Sequence, residues 1–371
     1  MNFLDLSLHE VRAALAAAGQ PPYRADQIAR WVYREGVTDP ERMTNVPPSV
    51  AQQFVYLASH VAARSESADG TVKLLVELAD GERIETVLIP TGRKFTRPWR
   101  ATACLSTQVG CAVGCAFCAS GLGGLKRSLA AGEILEQLVH LRQVADRRIT
   151  HVVFMGMGEP LANYRATVAA VRAIIDPERF AVSARHVTVS TVGIPRAIRR
   201  LAAEDLPITL AVSLHAPDDE LRRRLIPRAA PISEVLDAAE EFFAARGREV
   251  TLEYVLLAGV NDSLTCADGL AHLARRLRAS VNLIPFNPAT PGQSLPAAGH
   301  GTSRARARVA GPATPGRRPV EGLPYARPAA AAVRAFAARL RSRGANVHVR
   351  RSRGADADAA CGQLRRHARQ A

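Results

Sequence analysis

From about residue 101 onward the chain alternates short apolar runs with helix-patterned stretches, and this alternation narrows its fold more than any other feature. The runs are ATACLST, ITHVVFMG, HVTVST, ITLAVSL, VTLEYVLL and VNLIPF, with the β-branched content of buried strands. Between them lie segments such as EILEQLVHLRQVA and YRATVAAVRAII, whose apolar residues recur at helical spacing. Six such βα units predict an α/β fold of parallel strands with helices outside, as a partial or full barrel, a doubly wound open sheet being the main competitor. In a barrel the chemistry collects in the loops after the strand C-terminal ends. Here those loops are QVGCAVGCAFC, GMGEPLAN, STVGIP, SLHAPDDE and FNPATPG.

The flanks differ in character. Residues 1–60 are predicted to form a small helical module. LSLHEVRAALAAAG and YRADQIARWVYREGV carry helical spacing, the second with Ile28, Trp31 and Val32 on one face, and VPPSVAQQFVYLA is expected to be a third helix. Residues 61–97 form a β-rich linker, with TVKLLVEL and RIETVLIP around the turn ADGE. Residues 98–288 hold the six βα units. Residues 289–320 are rich in Pro, Gly, Ala and Arg without an apolar period and are expected to be a flexible basic insertion. Residues 321–371 complete the core with one helix and a last strand, NVHVRRSRG.

Composition bounds the partners. The net charge of +15 is concentrated in residues 301–371, which hold 16 arginines against three acids. Such a block points to a polyanion held by phosphate contacts, RNA or DNA, the plain alternative being drift in a chain with 46 arginines and three lysines. No apolar run approaches the ~20 residues of a membrane span, and the N-terminal residues lack the pattern of a signal peptide. A cytoplasmic, monomeric protein without membrane attachment is expected. Six cysteines in such a setting are expected to serve a metal or catalysis rather than three structural disulfides.

Cys111, Cys115 and Cys118 fall within eight positions with no fourth cysteine beside them. A closed zinc site or an ordinary iron–sulfur cluster takes four protein ligands. Cys-x3-Cys-x2-Cys puts three thiolates on one loop, where they can face three irons of a cubane and leave the fourth iron for a small molecule. Zinc with a remote fourth ligand and buried inert thiols are the alternatives. The spacing is not that of the usual zinc knuckles, and Phe117 just before the last cysteine would pack against a cluster. An open-site 4Fe–4S cluster is therefore the stronger reading.

This loop, with its aromatic residue, resembles the signature of the radical S-adenosylmethionine (SAM) enzymes. The resemblance implies that the free iron chelates SAM, whose cleavage yields a 5′-deoxyadenosyl radical, and that the barrel is a partial (βα)6 TIM-like radical SAM barrel. Gly158 and Glu159 of GMGEP, Ser190, the trio Ser213, Leu214 and His215, and Asn287 then become candidate SAM contacts. Taken singly, each would pass as a turn or a strand-end cap.

The match narrows further. CLSTQVGCAVGCAFC, FMGMGEPL, SLHAP, NLIPFNP and RRSRGADADAACGQL, five motifs in order, resemble the RlmN-type RNA adenine-C2 methyltransferases, with the C8-methylating Cfr branch as close kin. YRADQIARWVYREGV with MTNVPPSV resembles their N-terminal RNA-binding domain. The stretch 289–320 departs from the pattern, since relatives pass almost directly from FNP to a PYxRP segment. The resemblance implies that Cys361 takes a methyl group and that a methylene radical on it adds to adenine C2. Cys104 then releases the product through a transient disulfide, with Glu85 as proton acceptor. It implies 23S rRNA and tRNA as substrates and an electron donor such as flavodoxin. Cys266 is expected to be a bystander. C8 methylation, or a non-catalytic Fe–S protein that binds RNA, are the competing readings.

Overall fold

The structure is a computed structural model that describes residues 1–91, 100–288 and 325–365. The expected insertion at 289–320, with its arginines, lies outside the described residues. The six expected parallel strands form as β4 (Arg100–Cys104), β7 (His151–Phe154), β8 (Val187–Thr191), β9 (Thr209–Ser213), β10 (Val250–Leu256) and β11 (Ser280–Pro285). They pair in that spatial order, and β12 (Val347–Val349) extends the row as a seventh parallel strand. Their helix-facing residues are apolar, as in Val152, Val189, Leu210, Leu252 and Leu283, while Thr188, Ser190, Ser213 and Glu253 stand on the opposite, barrel-facing side.

At the other edge three antiparallel strands continue the same sheet: β1 (His60–Glu66), β2 (Val72–Glu77) and β3 (Arg83–Thr91), the last pairing with β4. Among the described residues the sheet has ten strands, with β1 and β12 at its two edges, so the barrel is partial. A separate ribbon of β5 (Gln108–Gly110) and β6 (Leu125–Ser128) frames the cysteine loop.

The outer layer is built by α4 (Ala131–Val144), α5 (Tyr164–Ile175), α6 (Pro195–Ala203), α7 (Asp219–Leu225), α8 (Ile232–Arg246), α9 (Leu264–Leu277) and α10 (Ala330–Ser342). Each follows a parallel strand, β9 being followed by two. Two apolar clusters result. The larger lies between sheet and helices and runs on into the N-terminal module. The smaller gathers Phe117, Val192, Val255, Ile284 and Phe286 at the barrel mouth. Among the described residues no helix is long and apolar enough to cross a membrane.

The N-terminal module contains α1 (Leu8–Ala17), α2 (Tyr23–Ala29) and α3 (Pro48–Ala51). Two expectations are corrected here. The second helix widens into a π-helical turn over Arg30–Glu35, which buries both Val32 and Tyr33 and sets the Trp31 Nε1–H 2.7 Å from Asn45 Oδ1. The third helix is one turn rather than the whole of VPPSVAQQFVYLA. Phe54 and Tyr56 leave it to pack around Phe3, and Val55 bridges Asn2 instead.

The module is locked to α4 by a buried carboxylate. Glu136 accepts from the amides of Ala58 (3.0 Å) and Ser59 (2.9 Å) and from the Ser59 hydroxyl. With that hydroxyl proton given to Glu136, Ser59 Oγ accepts from His140 Nε2–H at 3.0 Å. Burial holds His140 neutral and lowers its pKa to about 4. Unfolded, it would titrate near ~6.5. Between those values the unfolded chain binds a proton the native state refuses, so stability must fall as the pH drops from about 6.5 to about 4. The loss is on the order of 3 kcal/mol by linkage. Chemical denaturation of His140→Gln across that range should show a flatter pH dependence than the parent; an equal slope would assign the acid sensitivity elsewhere.

Candidate active site

The strand C-terminal ends open on a cavity. Cys111, Cys115 and Cys118 line it, as do Gly158, Glu159, Ser190, Ser213, His215, Asn287 and Cys361. Ten of the thirteen predicted site residues thus meet at one place. Leu214 does not. It directly follows β9 and is fully buried in the larger apolar cluster. Its amide donates to the Glu253 carbonyl and its own carbonyl accepts from Arg222 Nε. Cys104 on β4 and Glu85 on β3 are not among the lining residues either, though register puts both on the same sheet face as Ser190.

Burial raises the pKa of all three loop thiols, with Cys111 near 11, and repulsion among the three adds to the shift for Cys111 and Cys115. Among the described residues no three His, Cys, Asp or Glu side chains converge as they would around one metal ion. A cubane does not ask for that convergence, since each thiolate ligates a different iron and the three stand apart around it. Three soft donors on one short loop, packed with Phe117 and open to a cavity, fit a cluster with one unligated iron.

Two glycines let the loop after β7 press against residues 105–108. A Cβ on Gly156 would stand 2.6 Å from Ser106 Oγ, and one on Gly158 2.6 Å from Gln108 Cβ, with φ +101° besides. Next to them the Glu159 carboxylate is buried and divided between two amides, Leu161 N–H at 2.9 Å and Val192 N–H at 2.7 Å. Burial raises its pKa and the amides pull it back. His215 sits at φ +62°, where its Nδ1 accepts the Val255 amide at 3.0 Å. That bond fixes the proton on Nε2, burial lowers its pKa to about 3, and its ring meets Phe117 edge-on at 4.8 Å. Ser190 and Ser213 touch at 3.3 Å between hydroxyl oxygens.

The C-terminal segment closes the cavity. Ala119 N–H donates to the Gly362 carbonyl at 2.9 Å and Ser120 Oγ–H to the Leu364 carbonyl at 2.6 Å, so the cysteine loop itself holds Cys361. Asn287 Nδ2 reaches the Cys361 carbonyl at 3.3 Å. The exposed surface of Cys361 faces the cavity, and its enclosure raises the thiol to about 11; Arg350 opposes that shift. Cys104 is buried, is raised to about 12, and feels the charge of Cys361. All six cysteines are free thiols, so no standing disulfide is present. Glu85 is fully buried in an ion pair with Lys73 at 2.8 Å and accepts the Arg365 amide at 2.8 Å. Cys266 stays near the start of α9, its amide on Ser263 Oγ.

Comparison with known proteins decides the family. Residues 105–264 match the Radical SAM superfamily, and residues 1–58 match the Ribosomal RNA large subunit methyltransferase N-terminal domain. A protein of Rhodopirellula baltica named "Probable dual-specificity RNA methyltransferase RlmN" is 42% identical, covering 99% of this chain and 91% of its own. The chain belongs to the RlmN family of radical SAM methyltransferases. A relative of the same name from Thermosynechococcus vestitus is 41% identical over 98% of both chains. The crystal structure of a radical SAM methyltransferase from Sphaerobacter thermophilus superposes with a TM-score of 0.84 at 42% identity, covering 98% of this chain and 99% of that one. Membership implies SAM and a 4Fe–4S cluster as cofactors.

Sequence reasoning missed Lys73, Arg222, Glu253 and Arg350. Glu253 had a visible signal, an acid inside the apolar run VTLEYVLL; the others had none. Gly158→Ala should destabilise the protein by about 2–4 kcal/mol, because the added methyl meets Gln108 in a backbone conformation that L residues avoid. Thermal melting checks this, and an unchanged melting temperature would mean that Gln108 gives way freely.

Proposed function

We propose that this chain methylates C2 of an adenosine in 23S rRNA, and of the adenosine 3′ to the anticodon in tRNA, through a methyl-cysteine at Cys361. The observation that carries the reading is the direct hydrogen bonding of the cysteine loop to the segment of Cys361, with Cys104 near enough to share its electrostatic field. A structural iron–sulfur protein has no use for two further thiols at that point. The name of the curated relatives supports an RNA substrate.

Adenine C2 is electron-poor, so a polar methyl donor alone has nothing there to attack it. Held by Cys111, Cys115 and Cys118, the cluster with SAM supplies the methyl group and a hydrogen-abstracting radical, its electron coming from a donor such as flavodoxin. Cys361 carries the methyl carbon to the base and remains joined to it. Glu85 would accept the proton that C2 gives up, which requires the Cys361 segment to shift off the Arg365 amide, and the one electron released with it would return to the cluster. The Cys104 thiolate then attacks Cys361 sulfur, and the carbon–sulfur bond breaks with its electron pair on the carbon. That carbon takes a proton to become the methyl group, and the two cysteines are left as a disulfide to be reduced before the next turnover. Gly158, Glu159, Ser190, Ser213, His215 and Asn287 line the space for SAM, with the backbone of Leu214 as their support. The exposed Lys126, Arg223, Arg224, Arg228 and Arg351 lie in the elements that rim the mouth, where RNA phosphates would pass, and the helical module of residues 1–60 adds a second RNA surface.

Replacing Cys111, Cys115 or Cys118 with Ala should abolish the cluster's visible absorbance after anaerobic reconstitution, since two thiolates do not retain a cubane. The order of action separates the other two thiols. Cys361→Ala removes the early step and should carry no methyl-cysteine and no RNA adduct. Cys104→Ala removes only the release, so a nucleotide should remain attached to Cys361 after nuclease digestion, visible by mass spectrometry. An adduct in the Cys361 variant, or none in either, overturns the roles.

A further inference from the structure

The barrel interior carries a polar row where such barrels ordinarily hold branched apolar side chains. Ser190 on β8, Ser213 on β9, Glu253 on β10 and Asn282 on β11 lie side by side; Ser213 is in register with Glu253, and Glu253 with Asn282. Glu253 is only 3% exposed and borders the cavity. Its Oε1 is well used: Asn282 Nδ2 donates at 2.8 Å, Thr251 Oγ1 lies at 3.3 Å and Arg350 Nη2 at 3.7 Å. Its Oε2 is buried and, among the described residues, has no hydrogen-bond partner. A buried carboxylate oxygen without a donor is costly, and a ligand that fills the cavity can supply the donor.

We infer that Glu253 Oε2 accepts from the ribose hydroxyls of SAM, making Glu253 a binding and specificity residue for the nucleoside half of that cofactor. This rests on the assignment of the cavity to SAM. The hydrogen donors of SAM are the ammonium, the adenine amino group and the two ribose hydroxyls. The other carboxylate of the cavity, Glu159, stands at the cysteine-loop end, where the amino-acid half would chelate iron. Glu253 lies mid-strand, deep beside two serine hydroxyls, a setting for a neutral diol; a carboxylate on a ribose diol is a recurrent pairing. The substrate base would enter past Cys361 at the mouth, farther out than the middle of β10.

Titration calorimetry on cluster-loaded protein tests this with SAM, 2′-deoxy-SAM and 3′-deoxy-SAM. The parent should prefer SAM over at least one deoxy analogue by about 10-fold or more. In Glu253→Gln that preference should shrink to about 2-fold or less while affinity for the same analogue changes little. Glu253→Asp, which keeps the charge beside Asn282 but withdraws the oxygen, should lose it too, and serves if the Gln variant does not fold. A parent that binds SAM without preference, or a variant that keeps the full preference, overturns the inference and leaves the SAM site standing. Intact discrimination with weakened binding of an adenosine-containing oligonucleotide also overturns it and assigns Glu253 to the base. A parent that takes up the cluster but not SAM removes the site and the inference together.

Discussion

A single guanidinium frames the mouth of the barrel. Arg222 is fully buried, yet it donates to the carbonyls of Leu214, Val192 and Ala230. These belong to the turns after β9 and β8 and to the link between α7 and α8, where the ladder has ended and carbonyls need partners. Burial lowers its pKa to about 10, which still leaves it a cation at neutral pH. The Val192 peptide is thereby held from both sides, its carbonyl by Arg222 and its amide by Glu159. His215 is fixed likewise, its ring by the Val255 amide and its carbonyl by Asn261 Nδ2. The walls of the cavity are positioned by buried polar side chains, and the apolar sheet only brings them to the same place.

A second clamp sets the C-terminal segment. On one side the β1–β2 turn grips it: Ser67 and the Ala68 amide bind Asp356, Asp69 accepts the Gly354 amide at 3.1 Å, and Lys73 donates to the Asp358 carbonyl at 3.0 Å. Gly354 has φ +68°, and a Cβ there would strike Ala359 and Thr71 at under 3 Å. On the other side stands the cysteine loop, through Ala119 and Ser120. Cys361 is carried between two elements about 240 and 290 residues earlier in the chain, so the hairpin at the sheet edge is part of the apparatus that presents it.

This division explains what could be read in the chain. Apolar runs mark the parallel strands because a strand buried on both faces needs them, and the Cys111–Cys118 spacing is local by nature. What was illegible depends on distant partners. Glu85 in RIETVLIP has the look of a surface acid until Lys73 and Arg365 close over it. Arg222 stands in DDELRRRL among exposed arginines, and nothing in the spacing tells which one turns inward. The shortened third helix follows from Phe3, fifty residues away, competing for Phe54 and Tyr56.

The thiols carry the last consequence. Burial pushes Cys104 and Cys361 far above neutrality, while Arg350 draws both toward the thiolate. A negative Cys361 raises Cys104 further, so the two resist being ionised together. Under the proposed reaction this repulsion sets an order. Cys361, with surface on the cavity, is the thiol that can lose its proton and meet a methyl donor there. Once its sulfur holds a carbon it bears no charge, so the repulsion on Cys104 is lifted, burial remains the main barrier to ionising it, and Arg350 opposes that barrier. The attacking sulfur is therefore easier to ionise once its target has become a thioether than while Cys361 is a thiolate.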